Sequence, residues 1–265
     1  MLSRLRRGLL TSVAAMGGFS PLSLFAASEP GFWYDPSDLS TLFQDAAGTT
    51  PVTAAGQSVG LVLDKSGRGN HATQSTSLSR PTYQVDSNGR GYLNFDGSDD
   101  SLVTGTITPG TDKAQVFAGV RKPVENANGT IVEFSVAADG NPGAFFLRAS
   151  GGSSANYQWA VRSASNTTSP VITATAPDTS VLDLLVDFAA PITTTRRNGA
   201  QTTFAATPAG AGNFLAYPAY IGRRGGTSLP FNGRIYSLIC RFGPNLTADQ
   251  IAQTEAWVNA RTGAY

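Results

Sequence analysis

The sequence contains one cysteine, one histidine and few charged residues of either sign. Charged residues make up 14% of its 265 residues, and the formal net charge is +1. A nearly neutral chain lacks the excess of Lys and Arg that holds nucleic acid, so we expect no nucleic-acid partner. Cys240 cannot form an intrachain disulfide, and its apolar neighbours predict a buried small side chain.

The patterns of common enzymes are also missing. Glycoside hydrolysis needs two carboxylates that face one cleft, and the only glutamates, at positions 29, 125, 133 and 255, are scattered along the chain. His71 has no second histidine for a usual zinc site, and a catalytic triad would require Asp and Ser to converge on it. No Gly-x-Ser-x-Gly elbow or Walker loop is present. We therefore predict that the chain is not an enzyme; the alternative is a polysaccharide-degrading enzyme that uses an Asp pair.

Glycine, proline and short extended runs dominate what is present. With 29 Gly and 15 Pro, the composition is typical of many short strands joined by turns. Extended segments recur from residue 92 to residue 241, and Asn198-Gly199 between two of them predicts a tight hairpin. We predict an all-β fold, an antiparallel two-sheet β-sandwich, formed as one domain by residues 28–265.

Two helices are expected beside the strands. Apolar residues at 39, 42 and 43 have a helical spacing and predict a short helix within residues 36–45. Thr247 with Gln250 forms a plausible capping box, and Gly263 supplies a stop, so we expect a C-terminal α-helix that packs on the sandwich.

Residues 1–27 form a distinct N-terminal segment. The basic residues Arg4, Arg6 and Arg7 precede a mostly apolar stretch and then small residues, as in a signal peptide. About a dozen apolar residues are too few to span a bilayer as a helix, so we expect no membrane span. We favour an anchoring arm; a cleaved leader and an arm folded onto its own domain are the alternatives. The arm residues predicted to make the attachment are Arg4, Arg6, Arg7, Leu22, Leu24 and Phe25.

Three motifs give the sequence a family resemblance. DKSGRGNHA at 64–72, GYLNFDGSDD at 91–100 and FNGRIY at 231–236 together resemble the concanavalin A-like, laminin G-like family. This resemblance implies a jelly-roll β-sandwich and raises the possibility of bound Ca²⁺. The glucanases of this fold carry Glu-x-Asp-x-Glu on a strand, which this sequence lacks.

A narrower resemblance is to virion proteins of bacteriophages and prophages. It is carried by PLSLFA at 21–26, by WYDPSDLSTLFQD at 33–45 and by GAY at 263–265. It implies a tail-associated protein whose sandwich stands behind an N-terminal attachment segment.

Five polar residues are candidates for ligand binding. Asp64, Asn70 and His71 could present polar atoms to a sugar, and Arg223 and Arg224 could dock an anionic group. Turn chemistry alone explains the 64–71 segment and is the preferred interpretation, and an exposed Arg needs no special role.

Asp96, Asp99 and Asp100 are the candidate metal ligands. Several oxygens from one loop are what Ca²⁺ requires, although the spacing is not that of an EF-hand. A charged turn at the end of a strand is the alternative. No cofactor is required by this interpretation.

Together these features predict a non-enzymatic bacteriophage virion protein, tail-associated and attached to other virion proteins through residues 1–27. Its sandwich would contact a host-surface glycan or reinforce the particle, and a homo-oligomer would add avidity to weak single sites. The alternatives are a secreted carbohydrate-binding, lectin-like protein with a cleaved signal peptide, and a capsid decoration protein.

Overall fold

The computed structural model describes residues 18–125, 128–150, 155–190, 193–204 and 210–265. These residues form two antiparallel sheets and one α-helix, which confirms the predicted β-sandwich. Within the described ranges, no helix has the length and apolar character that crossing a bilayer demands.

The strands follow one another along the chain. They are β1 (Gly31–Tyr34), β2 (Leu42–Phe43), β3 (Leu61–Val62), β4 (Ala72–Thr73), β5 (Thr82–Val85), β6 (Gly91–Asp96), β7 (Leu102–Thr104), β8 (Lys113–Lys122), β9 (Gly129–Phe134), β10 (Ala144–Ser150), β11 (Asn156–Arg162), β12 (Thr167–Thr168), β13 (Val171–Thr173), β14 (Asp178–Asp187), β15 (Thr193–Arg197), β16 (Ala200–Phe204), β17 (Ala219–Ile221) and β18 (Asn232–Phe242). Short 3-10 helices cover Pro21–Phe25, Leu39–Thr41 and Ser77–Ser79, and α1 covers Ala248–Thr262.

The strands divide between two sheets. Sheet A has the order β16-β15-β14-β8-β18-β6-β5, and β1 pairs with the part of β18 that β6 leaves open. Sheet B has the order β12-β11-β10-β9-β17-β7-β4-β3-β2, with β13 paired to β11. Consecutive strands pair toward the ends of both orders, whereas the pairs β14–β8, β8–β18, β18–β6, β9–β17 and β17–β7 join strands distant in sequence, so tertiary structure sets the register of these pairs.

The main core lies between the two sheets. Because side chains alternate along a strand, β8 sends Val116, Ala118 and Val120 into this core and Phe117 to the other side of sheet A. A second apolar layer forms on that outer face, where α1 packs across β8, β14 and β18. The sandwich therefore has three layers over part of sheet A.

The predicted hairpin, the C-terminal helix and the burial of Cys240 are confirmed. Asn198 and Gly199 have φ of 53° and 77° and join β15 to β16, because both residues tolerate the positive φ of a tight turn. Thr247 accepts a hydrogen bond from the Gln250 backbone in a complete capping box, and Gly263 closes α1 at a φ of 65°. Cys240 is fully buried, as predicted.

The helix predicted within residues 36–45 is wrong. Leu39–Thr41 makes a single 3-10 turn, and Leu42–Phe43 then pairs as β2 with β3. The side chain of Leu42 reaches the main core from this strand. The apolar residues at 39, 42 and 43 are therefore spaced by contacts of a turn and a short strand with the core, and not by a helix.

The structure corrects part of the predicted N-terminal arm. Leu24 and Phe25 are each 2% exposed and pack against Phe117, Ile239 and Val258 on the outer face of sheet A. They are therefore unavailable to another protein, and the domain includes residues on the N-terminal side of the predicted boundary at 28. Leu22 is 51% exposed, and Arg4, Arg6 and Arg7 lie outside the described residues.

A buried arginine holds the N-terminal segment to the domain. The guanidinium of Arg241 donates to the Leu24 carbonyl at 2.6 Å and to the Glu29 carboxylate at 2.8 Å. It also donates to Gln115 Oε1 at 2.5 Å. These charge-assisted bonds tie the segment from Leu24 to Glu29 to β18 and β8 of sheet A.

Candidate functional site

The outer face of sheet A is only partly covered by α1. The helix ends where Thr262 lies on Gly119 of β8, so close that a Cβ on Gly119 would stand 2.0 Å from Thr262 Oγ1. Beyond this contact the face is open and forms the floor of a cavity of about 470 Å³. This volume lies within the range of small-molecule sites.

The cavity walls are mainly polar. The lining residues are Val85, Asp86, Ser87, Asn88, Arg90, Tyr92, Arg121, Thr179, Arg234, Tyr236, Thr262 and Gly263. They come from the β5–β6 turn, from five strands of sheet A (β5, β6, β8, β14 and β18) and from the end of α1. We name this site the sheet A cavity.

Two arginines form its floor. Arg121 of β8 and Arg234 of β18 are directly opposite each other in the antiparallel register. Thr179 stands opposite Arg121 on the other side, and its hydroxyl oxygen accepts a hydrogen bond from Arg121 Nη1 at 2.8 Å. Among the described residues, neither arginine has a carboxylate within 4 Å, the distance that defines the ion pairs found elsewhere in the fold.

Two tyrosines fix the orientation of Arg234. Its guanidinium carbon lies 4.6 Å from the ring centroid of Tyr92, a cation–π contact, and the Tyr92 and Tyr236 centroids are 5.1 Å apart. The pairing of β18 with β8 shifts between Ile235 and Ser237, so Tyr236 is the extra residue of a β-bulge beside the cavity. Burial raises the pKa of the Tyr236 phenol, which keeps it protonated as a donor.

The rim is the turn between β5 and β6. The Asp86 carboxylate accepts hydrogen bonds from the backbone amides of Asn88 and Arg90, and it pairs with the Arg90 guanidinium at 3.7 Å. Arg90 lies against Gly263, where a cation is favourable beside the carboxyl end of a helix. Asp86 is the one carboxylate in the described lining. Its hydrogen-bond and ion-pair partners, Asn88 and Arg90, belong to the same turn.

The described lining of the cavity offers mainly hydrogen-bond donors. Its donors are guanidiniums, hydroxyls and an amide, and arginines outnumber carboxylates three to one in the described lining. A pair of carboxylates facing one cleft, as glycoside hydrolysis requires, is not present among these residues.

The 64–71 loop, predicted as a ligand site, holds β1 in place. Asp64 is buried, and its carboxylate accepts from the backbone amides of Trp33 at 2.9 Å and Asn70 at 3.0 Å. Asn70 Nδ2 donates to the Gly31 carbonyl at 2.7 Å. These bonds give both residues a structural role in the turn, and their role as sugar ligands stays a prediction. His71 Nδ1 accepts from the Asp64 amide at 2.9 Å and its side chain is exposed, so its ligand role stays a prediction.

The two adjacent arginines at 223 and 224 differ. Arg224 forms a two-pronged ion pair with the fully buried Glu133 and contacts Asp139 at 2.5 Å. This network on the outer face of sheet B occupies its guanidinium, which corrects its assignment to an anionic ligand. Arg223 donates to the Asp99 and Thr227 carbonyls and is half-buried; its ligand role stays a prediction.

The structure brings Asp96, Asp99 and Asp100 together. One carboxylate oxygen of each lies within 4.8 Å of the others. Burial raises the pKa of Asp100 to about 6, and the charges of Asp96 and Asp99 act in the same direction. Asp100 also accepts from the Asp96 amide at 2.9 Å and Asp99 from the Ser79 hydroxyl at 2.8 Å. Oxygen donors of this kind suit Ca²⁺, which needs six to eight of them. The calcium role of these three residues stays a prediction.

Sequence reasoning missed the sheet A cavity. Val120 and Ile235 point into the core, and successive side chains of a strand point to opposite faces. Their neighbours Arg121 and Arg234 could therefore have been assigned to an outer face. The sequence holds no signal that these two positions, 113 residues apart (234 − 121), would meet.

No protein-family model and no curated protein matches the sequence. The fold is similar to receptor-binding domains of botulinum neurotoxins. The type G receptor-binding domain matches with a TM-score of 0.53 and 13% identity, over 74% of this chain and 48% of that chain. The binding domain of botulinum neurotoxin DC in complex with SialylT matches with a TM-score of 0.53 and 12% identity, over 74% and 48%.

A structure of botulinum neurotoxin type C, whose cell entry depends on interaction with two ganglioside molecules, has the TM-score 0.56. Its identity is 11%, over 87% of this chain and 51% of that chain. The chain thus spans about half the length of these solved structures. At this identity the likeness shows a shared β-sandwich, and function does not follow from fold alone.

Proposed function

We propose that the chain is a non-enzymatic binding module that recognises a saccharide on a host surface through the sheet A cavity. The observation that carries this proposal is the open, polar depression beyond the end of α1, with donors and acceptors from the turn at 86–90 and from the floor strands. A sugar presents hydroxyls at many angles, and such a mixed polar lining can pair with them. The binding functions of the neurotoxin domains of similar fold give secondary support.

The same cavity supports binding without turnover. Asp86 would have to act alone, because the other charged residues of the described lining are arginines. Its carboxylate is also held by two backbone amides and by Arg90. Hydrolysis of a glycosidic bond needs a second carboxyl group as acid, base or nucleophile.

The module is proposed to be a tail-associated component of a bacteriophage virion. The sequence resemblance at 21–26 and 33–45 supports this role, and the residues N-terminal to 18, with Arg4, Arg6 and Arg7, would attach it to other virion proteins. Repetition of the module around a symmetric particle, as a homo-oligomer, would convert weak single sites into avid attachment.

The contacts of Leu24 and Phe25 argue against a leader cleaved after Ala27, as the secreted-lectin alternative requires. Cleavage there would remove both buried side chains and the Leu24 carbonyl that Arg241 binds. An intact mass that begins near Ala27 or Ser28 would contradict the retained segment. Immunogold labelling of particles would separate the tail role from a capsid decoration protein.

A glycan array with the full chain tests saccharide binding. We expect binding to at least one glycan, and its loss in Ser87→Trp, because an indole on the exposed rim residue would fill the cavity. Ser75→Trp, at an exposed position outside the cavity, is the matched control and should bind normally. A silent array would refute saccharide binding, and binding that survives Ser87→Trp would refute the cavity as its site.

A further inference from the structure

The opposition of Arg121 and Arg234 is electrostatically unfavourable in the free protein. Like charges directly across an antiparallel pair destabilise a sheet, and the two residues are register partners. Two half-buried arginines elsewhere in the fold do have carboxylate partners: Arg224 pairs with Glu133 and Arg196 with Glu255. Among the described residues, no carboxylate performs this role for Arg121 or Arg234.

Both guanidiniums are also held in place. Thr179 fixes Arg121 by a 2.8 Å hydrogen bond, and the Tyr92 ring supports Arg234 from beneath. Fixed donors lose little conformational entropy when a ligand binds, so this arrangement is preorganised. Asp86 does not neutralise the pair, because Arg90 and two backbone amides engage it on the rim.

We propose that the sheet A cavity selects saccharides that carry a carboxylate, with Arg121 and Arg234 as the residues that bind this group. A guanidinium donates two parallel N–H groups that match the two oxygens of a carboxylate. The rim residues Ser87 and Asn88 and the Thr179 hydroxyl then face the hydroxyls of the same sugar. This inference rests on the proposed function, since it names the ligand class of the same cavity.

Calorimetric titration of the full chain tests the selection. The probes are matched pairs of acidic and neutral sugars: sialyllactose with lactose, and a glucuronate-containing trisaccharide with its glucose counterpart. We expect at least one acidic sugar to bind about tenfold more tightly than its neutral partner. Arg121→Gln and Arg234→Gln should each remove this preference.

Arg68→Gln is the matched control, since it removes the same charge from a half-buried arginine outside the cavity. It should keep the preference. Thermal unfolding of each variant verifies that the fold is intact, and Arg121→Gln, which keeps a donor for Thr179, provides the cleaner comparison if Arg234→Gln is unstable.

The outcomes separate the two proposals. If acidic and neutral sugars bind with equal affinity, and Ser87→Trp abolishes the binding of both, the carboxylate inference is overturned and saccharide binding at the cavity stands. The absence of binding to any sugar would overturn both. Inorganic sulfate or a sulfated lactose that binds as tightly as the best acidic sugar would show a general anion site and overturn the assignment to carboxylates.

Discussion

Gly119 and Thr262 meet at the boundary between the covered and the open part of sheet A. A Cβ on Gly119 would lie 2.0 Å from Thr262 Oγ1 and 3.0 Å from Val258 Cγ1. The absence of a side chain at 119 lets the last turn of α1 rest directly on β8. Gly263 ends α1 at the next residue, so this contact marks where the covered part of the face stops and the cavity begins.

We expect Gly119→Ala to lower the free energy of unfolding by about 1–3 kcal/mol, because the added methyl group overpacks the contact with the helix. Urea unfolding measures the loss. Thr262→Ala removes the closest atom, so the double variant should recover part of it. A Gly119→Ala protein as stable as the wild type would mean that the helix end can move away freely.

Arg121→Gln should leave the free energy of unfolding unchanged or raise it by about 0.5 kcal/mol, because it removes one of two opposed like charges. Glutamine can still donate to Thr179. The same unfolding experiment at low ionic strength reveals the change most clearly, since salt screens the repulsion. A loss above about 1 kcal/mol would indicate a stabilising partner for Arg121 and would contradict the unpaired arrangement.

Phe25→Ala should cost about 3–5 kcal/mol, because the ring is buried between the outer face of sheet A and α1. Leu22→Ala, three residues earlier at a half-exposed position, is the control and should change stability by less than about 0.5 kcal/mol. Thermal or urea unfolding measures both. Equal effects at the two positions would contradict the packing of this segment on the domain.

Asp100 should make stability depend on pH. Its folded pKa of about 6 is above 3.8, the ordinary value of an aspartate side chain, so the folded state binds the proton more tightly than the unfolded state. The contribution of this group to stability is therefore greatest below about pH 4 and is lost as pH rises through about 6. Asp100→Asn should raise the unfolding temperature at pH 7.5, and the gain should disappear near pH 4. A gain that is constant with pH would contradict the raised pKa.

Calcium binding at the acidic cluster stays a prediction. If Ca²⁺ binds Asp96, Asp99 and Asp100, it should raise the unfolding temperature at pH 7.5 more than Mg²⁺ does at equal ionic strength. Asp96→Asn should abolish the difference, whereas Asp112→Asn, outside the cluster, should preserve it. Equal effects of the two ions on the wild type would refute a calcium site.

Local chemistry made several elements predictable from sequence. Asn198-Gly199 specifies its turn because both residues accept positive φ, and the Thr247 capping box with Gly263 defines both ends of α1. The prediction failed at 36–45, where apolar spacing reflects burial of Leu42 from a short strand. The recurrence of short extended segments separated by turn residues, together with the Gly-rich composition, predicted the sandwich itself.

The sequence by itself determined the all-β class, the hairpin, the C-terminal helix and the lack of a disulfide, because each depends on neighbouring residues or on composition. The candidate site was decided by tertiary structure. Arg121 and Arg234 become partners only through the pairing of β8 with β18, and Thr262 reaches Gly119 only because α1 folds back onto sheet A. Leu24 and Phe25, which by sequence could have bound another protein, are buried against their own domain, because only the assembled sheet and α1 create the surface that they cover.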